Sequence, residues 1–147
     1  MPTLAINKKA RFDYEILETF EGGLKLTGPE VKAIKKGHLK LQGSFLHIKN
    51  NELWLKNAFI GRYQPAGEQL DYDPYQNRKV LVKKKEIRRF IGKSHSEGLT
   101  LIPLSVYVRR NLLKLEFALA RGKKKYEKRE LIKKRDIQRQ LQEKMKQ

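Results

Sequence analysis

Apolar residues alternate with polar ones along several short segments of the chain, at the two-residue spacing of β-strands. The clearest of these segments runs in the order Leu113, Lys114, Leu115, Glu116, Phe117, Ala118 and Leu119. Strands with one apolar and one polar face are typical of antiparallel sheets that are solvated on one side. The pattern predicts a mainly β protein, built as a small antiparallel barrel of the OB-like kind that is closed or nearly closed.

Turn residues separate the other predicted strands, which are residues 14–20, 24–26, 44–49, 52–57, 80–82, 99–103 and 105–109. Gly22-Gly23 predicts a tight turn that joins the first two strands as a hairpin. Asn50-Asn51 predicts a two-residue hairpin turn, and Pro103 predicts a break between the last two strands. Arg110-Asn111 predicts a further turn before the last strand.

One short helix is predicted from its end signals. Thr27 is a suitable N-cap, and Glu30 follows three residues later, as in a capping box. Gly37 is the expected C-terminal stop. We therefore expect about two helical turns between these positions.

A second, basic helix is predicted over residues 83–91, because Ile87, Phe90 and Ile91 share one face. Gly92 or Gly98 is expected to end it. Residues 58–77 form a long polar segment, which predicts a functional or disordered loop.

The chain is strongly basic, with 34 Lys and Arg against 16 Asp and Glu, a net charge of +18 and a pI of about 10.1. Such an imbalance favours association with a polyanion through long-range attraction and counterion release. We expect tyrosines at the surface to stack on unpaired bases. For each tyrosine by itself, core packing or ordinary surface placement is an equally good explanation.

The C-terminus is intensely basic, since residues 121–147 hold twelve Lys and Arg against four Asp and Glu. We therefore divide the chain into a barrel, residues 1–121, and a basic tail, residues 122–147. Ile137, Leu141 and Met145 lie at helical spacing, but an isolated helix of this length is marginal in water. The tail is predicted to be disordered in solution and to fold on a polyanion; the alternative is a permanently solvated tail.

The sequence offers no catalytic or metal-binding motif, so we expect no enzymatic activity and no cofactor. The chain has no cysteine, and its three histidines lack the spacing of metal ligands. Glu15, Glu18 and Glu21 are more simply interpreted as solvated charges on a strand than as a carboxylate pair. No apolar run is long enough to span a bilayer, which together with the absence of cysteine predicts a cytoplasmic protein without membrane contact.

Several segments together resemble the SmpB family of SsrA-binding proteins, which act with transfer-messenger RNA in trans-translation. They are residues 6–11 (INKKAR), 26–32 (LTGPEVK), 73–74 (DP), 78–79 (RK), 84–89 (KKEIRR), 98–100 (GLT) and 118–124 (ALARGKK). The resemblance extends over nearly the whole chain and is specific in combination.

The resemblance implies that the barrel binds the tRNA-like domain of transfer-messenger RNA near its elbow and D-loop. It also implies that Asn7, Glu21 and Leu81 lie at positions important for that binding. The basic residues expected to contribute RNA contacts are Lys8, Arg11, Lys35, Arg78, Lys83, Arg121, Lys123 and Lys124.

The resemblance further implies that the tail enters the decoding centre and the empty mRNA channel of a stalled ribosome. Tyr126, Glu127, Lys128 and Arg129 are the tail residues expected at the decoding centre. The family usually has Asp-Lys-Arg where this chain has Glu-Lys-Arg, one methylene longer at the first position. Elongation factor Tu and alanyl-tRNA synthetase are expected as indirect partners through the RNA, and the protein is expected to be a monomer.

Two alternatives differ from an RNA adaptor for ribosome rescue. A generic basic RNA-binding protein of the ribosome would bind with strong salt dependence and little structural selectivity. A small nuclease would cleave RNA in the presence of a divalent metal ion, which the lack of a candidate site argues against.

Overall fold

The computed structural model describes residues 2–63, 71–123 and 125–145, with side chains from residue 128 onward in the last range. These residues form nine strands and four helices. The strands are β1 (Thr3–Ile6), β2 (Tyr14–Leu24), β3 (Leu39–Lys40), β4 (Phe45–Lys49), β5 (Glu52–Lys56), β6 (Phe59–Ile60), β7 (Arg78–Leu81), β8 (Thr100–Arg109) and β9 (Leu112–Gly122). The helices are α1 (Ala10–Asp13), α2 (Gly28–Lys35), α3 (Lys84–Glu97) and α4 (Lys125–Met145).

Seven strands form one antiparallel sheet in the order β1-β8-β9-β2-β7-β5-β4, and β3 pairs with β6 separately. The sheet curls, so that β4 at one end packs near β8 towards the other end. This curling leaves a cleft of about 550 Å³ between β4, α3 and the start of β8. The predicted mainly antiparallel β fold with short peripheral helices is confirmed.

The inner face of the curled sheet carries the main hydrophobic core. Phe117 on β9 is fully buried, and its ring stacks on Phe20 of β2 with centroids 5.7 Å apart. Phe90 of α3 approaches Phe20 at 4.8 Å and Phe117 at 5.8 Å. Aromatic pairs at these distances add specific geometry to the burial of apolar area, so they fix α3 against the sheet.

The predicted hairpin at Gly22-Gly23 is wrong, because β2 continues through both glycines to Leu24. A Cβ added to Gly22 would lie 2.7 Å from Cγ1 of Val80 and 3.2 Å from the ring of Phe117. Gly22 therefore permits close approach of the backbone to the neighbouring core, which is the second common reason for glycine within a strand.

The predicted break at Pro103 is also wrong, because β8 is continuous from Thr100 to Arg109. The register of β8 against β9 shifts between Pro103 and Ser105 instead. A β-bulge accommodates a proline, whose missing N–H removes one ladder hydrogen bond. The proline bends a long strand here and does not divide it.

Two predicted tight turns are confirmed. Asn50 and Asn51 have φ angles of 54° and 59° between β4 and β5. Arg110 and Asn111 have φ angles of 52° and 63° between β8 and β9. Consecutive left-handed residues make the turn whose twist matches paired antiparallel strands, and asparagine tolerates that conformation best.

Helix α2 has the predicted capping box, in which the Thr27 hydroxyl accepts from the Glu30 N–H at 3.3 Å and Glu30 Oε1 accepts from the Thr27 N–H at 3.1 Å. The predicted stop at Gly37 is confirmed by its φ of 87°. In α3, Gly92 lies within the helix, and Gly98 ends it with a φ of 64°.

The predicted loop 58–77 contains the short strand β6, and residues 64–70 fall outside the described part of the chain. Its second half is joined to β6 by Tyr72, whose hydroxyl donates to the carbonyl of Ile60 at 2.8 Å. Burial raises the pKa of Tyr72 to about 12, so the hydroxyl remains a donor at neutral pH.

The tail forms the helix α4 in this structure. Its apolar side chains remain exposed, with exposed fractions of 56% for Ile137, 56% for Leu141 and 87% for Met145. The disorder of this segment in solution stays a prediction. Within the described residues, none of the helices combines the length and the apolar character needed to cross a bilayer.

Candidate nucleic-acid interface

The outer face of the main sheet carries a row of residues in register across five strands. Thr3 of β1 pairs with Tyr107 of β8, Tyr107 with Lys114 of β9, Lys114 with Gly23 of β2, and Gly23 with Leu81 of β7. With neighbouring strands 4.7–4.9 Å apart, this row is about 19 Å long. It brings together residues that are far apart in the sequence.

A second row lies beside it on the same face. Ile6 of β1 pairs with Ser105, Ser105 with Glu116, and Glu116 with Glu21 of β2. Asn7 follows Ile6 directly. We call the surface formed by these two rows, together with Arg109 and Leu112, the outer face.

Apolar side chains on the outer face remain exposed, with exposed fractions of 61% for Ile6, 50% for Leu81 and 60% for Leu112. Leu81 lies over Gly23, where an added Cβ would be 3.5 Å from the Leu81 Cβ. The neighbouring polar groups are balanced in sign, because Glu21 and Glu116 stand beside Lys114 and Arg109. Exposed apolar groups beside paired charges are typical of a recognition surface and not of a purely electrostatic one.

The other end of the same sheet face is covered by α1. Ala118 and Ala120 on β9 are fully buried there and pack with Ala10 of α1, Ile102 and Leu104. Small side chains let a helix lie close on a sheet. Among the described residues, α1 therefore covers one end of this sheet face, while the end around Glu21 and Leu81 is open.

Glu21 does not carry a free carboxylate. The Tyr107 hydroxyl donates a hydrogen bond to it, and Arg109 Nη1 donates to both oxygens at 3.1 Å. The hydrogen bond from Tyr107 and the charge and hydrogen bond of Arg109 together lower the pKa of Glu21, outweighing the effect of burial. The carboxylate is therefore ionised and held in one place at neutral pH.

The sequence alone did not identify Tyr107 and Arg109. They lie 86 and 88 residues from Glu21, two strands away across the sheet. The alternation along residues 105–109 indicates only that Tyr107 and Arg109 lie on the polar face of a strand. The partner strand and its register, which decide the contact, were not readable from that pattern.

A groove of about 560 Å³ adjoins Leu81. It lies between the Asn50-Asn51 turn, β7 and the start of α3, and its basic lining residues are Lys79, Lys84 and Arg88. Lysines at a helix N-terminus are unfavourable for the helix dipole, so their positive charge does not serve the stability of α3. Glu52, which pairs with Lys79, also lines the groove, so the groove extends the outer face with a net positive charge.

Asn7 is fixed to the bulge in β8. Its backbone N–H donates to the carbonyl of Leu104 at 2.7 Å, and its side-chain Nδ2 donates to the carbonyl of Pro103 at 3.0 Å. These bonds orient the amide at the edge of the outer face. Asn7, Glu21 and Leu81 thus lie at one end, in the middle and at the other end of the same surface.

Arg78 is buried, with its side chain 1% exposed, and lies beneath the surface. Its Nε donates to Glu30 Oε2 at 2.8 Å, its Nη1 to the carbonyl of Ala58 at 2.7 Å, and its Nη2 to the hydroxyl of Tyr72 at 3.0 Å. Burial raises the pKa of Glu30, but the hydrogen bonds from Thr27 and Arg78 lower it by more. The pKa of Glu30 is therefore below its ordinary value. Arg78 holds β7 to α2 and is not part of the outer face.

The other predicted basic residues are distributed over the surface. Those that are exposed are Lys8, Arg11, Lys35, Lys83 and Arg121. Lys123 is half-buried, and its Nζ donates to the carbonyl of Arg11 at 2.9 Å. Lys124 and the side chains of Tyr126 and Glu127 lie outside the described part of the structure.

The base of α4 is joined to α1. The N–H of Lys123 donates to the carbonyl of Asp13 at 2.9 Å, and the Asp13 carboxylate is 3.2 Å from Nζ of Lys128. Further along α4, the Arg135 guanidinium lies over the ring of Phe12 at 5.5 Å. Arg129 is exposed. The tail helix therefore starts beside the covered end of the sheet, away from the open outer face.

The described residues contain no group of three or more His, Cys, Asp or Glu side chains that is placed to hold a metal ion. The carboxylates of β2 are paired individually with arginines from other elements. Glu15 pairs with Arg121, and Glu18 pairs with Arg89 at 2.7 Å.

Comparison with known proteins gives a consistent result. The model of the SmpB protein family matches residues 4–147. An SsrA-binding protein of Trichodesmium erythraeum is 48% identical over 141 residues, covering 96% of this chain and 90% of the relative. An SsrA-binding protein of Persephonella marina is 48% identical over 143 residues, covering 97% of this chain and 93% of the relative.

A solved structure described as "tmRNA-SmpB: a journey to the center of the bacterial ribosome" superposes with a TM-score of 0.67 at 44% identity. The superposition covers 85% of this chain and 87% of that chain. Both the fold and the sequence agree over nearly their full lengths, and the chain therefore belongs to the SmpB family.

Proposed function

We propose that this protein binds transfer-messenger RNA and acts in trans-translation, the rescue of stalled ribosomes and the tagging of incomplete peptides. Membership of the SmpB family over residues 4–147 supports this function. The protein acts as an RNA-binding adaptor in this proposal, and no catalytic step is assigned to it.

The observation that carries the proposal is the outer face. It places Asn7, Glu21 and Leu81, which come from three separate segments, on one uncovered surface. Exposed apolar side chains there suit contact with unstacked bases and sugars, while the adjoining basic groove suits the phosphate backbone. We assign the tRNA-like domain of transfer-messenger RNA to this surface.

The tail is proposed to act separately, at the ribosome. Helix α4 carries basic residues and an exposed apolar stripe, which suit ribosomal RNA as a partner. Residues 126–129 are proposed to reach the decoding centre and the rest of α4 the empty mRNA channel. Elongation factor Tu and alanyl-tRNA synthetase are proposed as partners only through the RNA.

The experiment that tests the outer face is a binding titration with the isolated tRNA-like RNA domain, using wild type and Glu21→Ala. We expect the variant to bind about tenfold more weakly, because it loses a charge-assisted network. Glu97→Ala is the matched control, since it removes one carboxylate that pairs with a surface lysine, Lys93, at 3.1 Å on α3. It should bind as wild type.

Unrelated duplex RNA of the same length provides the second arm. A wild-type protein that binds both RNAs equally would contradict the proposal and favour a generic basic RNA-binding protein. A nuclease would reveal itself in the same titration by shortening the RNA when magnesium is added.

A further inference from the structure

Arg109 is the most exposed member of the cluster that it forms with Glu21 and Tyr107. Its side chain is 48% exposed, whereas that of Glu21 is 31% exposed and Tyr107 as a whole is 9% exposed. Arg109 is the last residue of β8, and Arg110-Asn111 form the tight turn that follows. The guanidinium therefore stands at the rim of the outer face, on a rigid segment.

The contact with Glu21 occupies one end of the guanidinium. Arg109 Nη1 donates to both carboxylate oxygens at 3.1 Å. The Nε and Nη2 edge, which carries two further parallel donors, is left over from this contact. That edge has the geometry that binds a phosphate with two hydrogen bonds.

Glu21 is poorly suited to approach RNA itself. An ionised carboxylate is repelled by phosphates, and its oxygens already accept from Tyr107 and Arg109. Burial raises the pKa of Tyr107, and the hydrogen bond to Glu21 raises it further, so the hydroxyl stays a donor. Tyr107 thus holds the Glu21 carboxylate in place, and this carboxylate orients the guanidinium of Arg109.

The neighbouring side chains complete a site for one nucleotide backbone unit. Leu112 pairs with Arg109 in register and is 60% exposed, which offers an apolar contact for a ribose. Lys114 lies near Glu21 and lowers its pKa through its charge. The guanidinium of Arg109 and the ammonium of Lys114 thus stand beside an ionised carboxylate whose oxygens already accept from Tyr107 and Arg109.

We propose that Arg109 binds a backbone phosphate of the RNA on the outer face, with Glu21 and Tyr107 as positioning residues for its guanidinium. This inference rests on the proposed function, since it takes the outer face as an RNA-binding surface. It assigns to Glu21 the role of orienting a cation and not of reading a base.

A double-mutant cycle with salt titration tests the proposal. The binding constant for the isolated tRNA-like RNA domain is measured between about 50 and 200 mM salt for wild type, Arg109→Gln, Glu21→Gln and the double variant. Each phosphate contact contributes about 0.7–0.9 to the slope of log K against log salt concentration. Arg109→Gln should weaken binding about tenfold and reduce the slope by about one such unit.

The cycle separates positioning from direct contact. Glu21→Gln should weaken binding in the wild-type background and have no further effect in the Arg109→Gln background. Tyr107→Phe, which keeps the ring and removes the hydroxyl, should follow the same pattern more weakly. Additive effects of Glu21→Gln and Arg109→Gln, or an unchanged salt slope in Arg109→Gln, would overturn the proposal.

Arg89→Gln with Glu18→Gln is the matched control cycle. It removes an arginine–glutamate pair of similar exposure that also involves β2, with Arg89 contributed by α3. Its salt slope should remain that of wild type; a slope reduced as much as in Arg109→Gln would overturn the specific role of Arg109. Thermal unfolding of all variants should remain within a few degrees of wild type, since exposed pairs contribute little to stability.

The salt slope can be measured on any RNA that the protein binds. If wild type shows no selectivity for the tRNA-like domain but its salt slope still falls in Arg109→Gln, the proposed function is overturned and this inference is not. Intact selectivity with no Arg109 dependence would overturn this inference alone.

Discussion

The outer face and α4 hold their charged side chains in different ways. On the outer face, Glu21 lies in a network that Tyr107 and Arg109 fix from two strands away. On α4, the ion pairs are long or exposed, such as Arg139 with Asp136 at 3.9 Å. A fixed network can select one RNA geometry, whereas an exposed basic helix gains its geometry from the partner that it binds.

Charge alone does not identify the selective surface of this protein. The tail carries a large positive charge over its whole length, yet the outer face balances its charges and exposes apolar groups. Selectivity follows from preorganised contacts, and affinity for any polyanion follows from charge. The two regions should therefore fail in different assays.

The largest expected effect comes from removing the tail, residues 122–147. Peptide tagging in a reconstituted translation system should be abolished, while affinity for the tRNA-like domain should fall only a few-fold because the outer face is intact. Full-length protein is the control. Tagging by the truncated protein, or loss of most of its RNA affinity, would break the division between the two regions.

The next largest effect concerns the support beneath β7. Glu30→Ala leaves the Arg78 guanidinium buried without its carboxylate, which costs about 3–5 kcal/mol of unfolding free energy. Denaturant unfolding measures it. Glu52→Ala is the control, because its pair with Lys79 at 3.7 Å is largely exposed and contributes at most about 1 kcal/mol. Equal losses in both variants would contradict the interpretation.

The same carboxylate predicts a pH dependence. Because the pKa of Glu30 is lower in the folded protein than its ordinary value of about 4.3, its contribution is complete above that value. It is lost as the pH falls through the folded pKa. Stability measured from about pH 6 to pH 2 should fall less steeply in Glu30→Gln than in wild type, and parallel curves would contradict this role.

A smaller effect is expected at the two glycines of β2. Gly22→Ala should cost about 1–3 kcal/mol, because the new Cβ meets Val80 at 2.7 Å. Gly23→Ala meets Leu81 at 3.5 Å, an ordinary contact, and should leave stability nearly unchanged. Thermal unfolding compares the two variants. A Gly22→Ala protein as stable as Gly23→Ala would show that the core there yields more easily than the structure indicates.

The smallest effect is expected where α4 meets α1. Asp13→Asn removes the exposed pair with Lys128 and should lower local stability by less than about 1 kcal/mol. Amide hydrogen exchange should accelerate in the first turns of α4 and remain unchanged in the sheet. Asp136→Asn, within α4 itself, is the control and should not affect the junction. Faster exchange across the whole sheet would mean that the two regions are coupled.

The local elements were largely predictable, because their signals are short-range. The capping box of Thr27 and Glu30 and the Asn50-Asn51 turn depend on contacts within a few residues. The Gly22-Gly23 pair predicts a turn, but glycine is equally typical of close backbone approach within a strand. The approach of Val80 that distinguishes the two lies on another strand.

The candidate site was only partly predictable for the same reason. Arg78 looks in the sequence like one more surface cation, whereas it lies buried against Glu30, 48 residues earlier. The alternation of their strand placed Tyr107 and Arg109 on a polar face, but it did not indicate that both contact Glu21. Side-chain partners across a sheet depend on strand order and register, which single-strand patterns do not contain.

The antiparallel β class, the two ends of α2 and the basic charge of the tail follow from the sequence, because alternation, caps and charge act locally or in sum. The tertiary structure alone decided which residues share the outer face and which of its charges are already paired. It curled seven strands so that Leu81 stands in register with Thr3 and Tyr107 across the sheet. Register converts distant residues into neighbours, and it is set by packing of the whole core and not by any one segment.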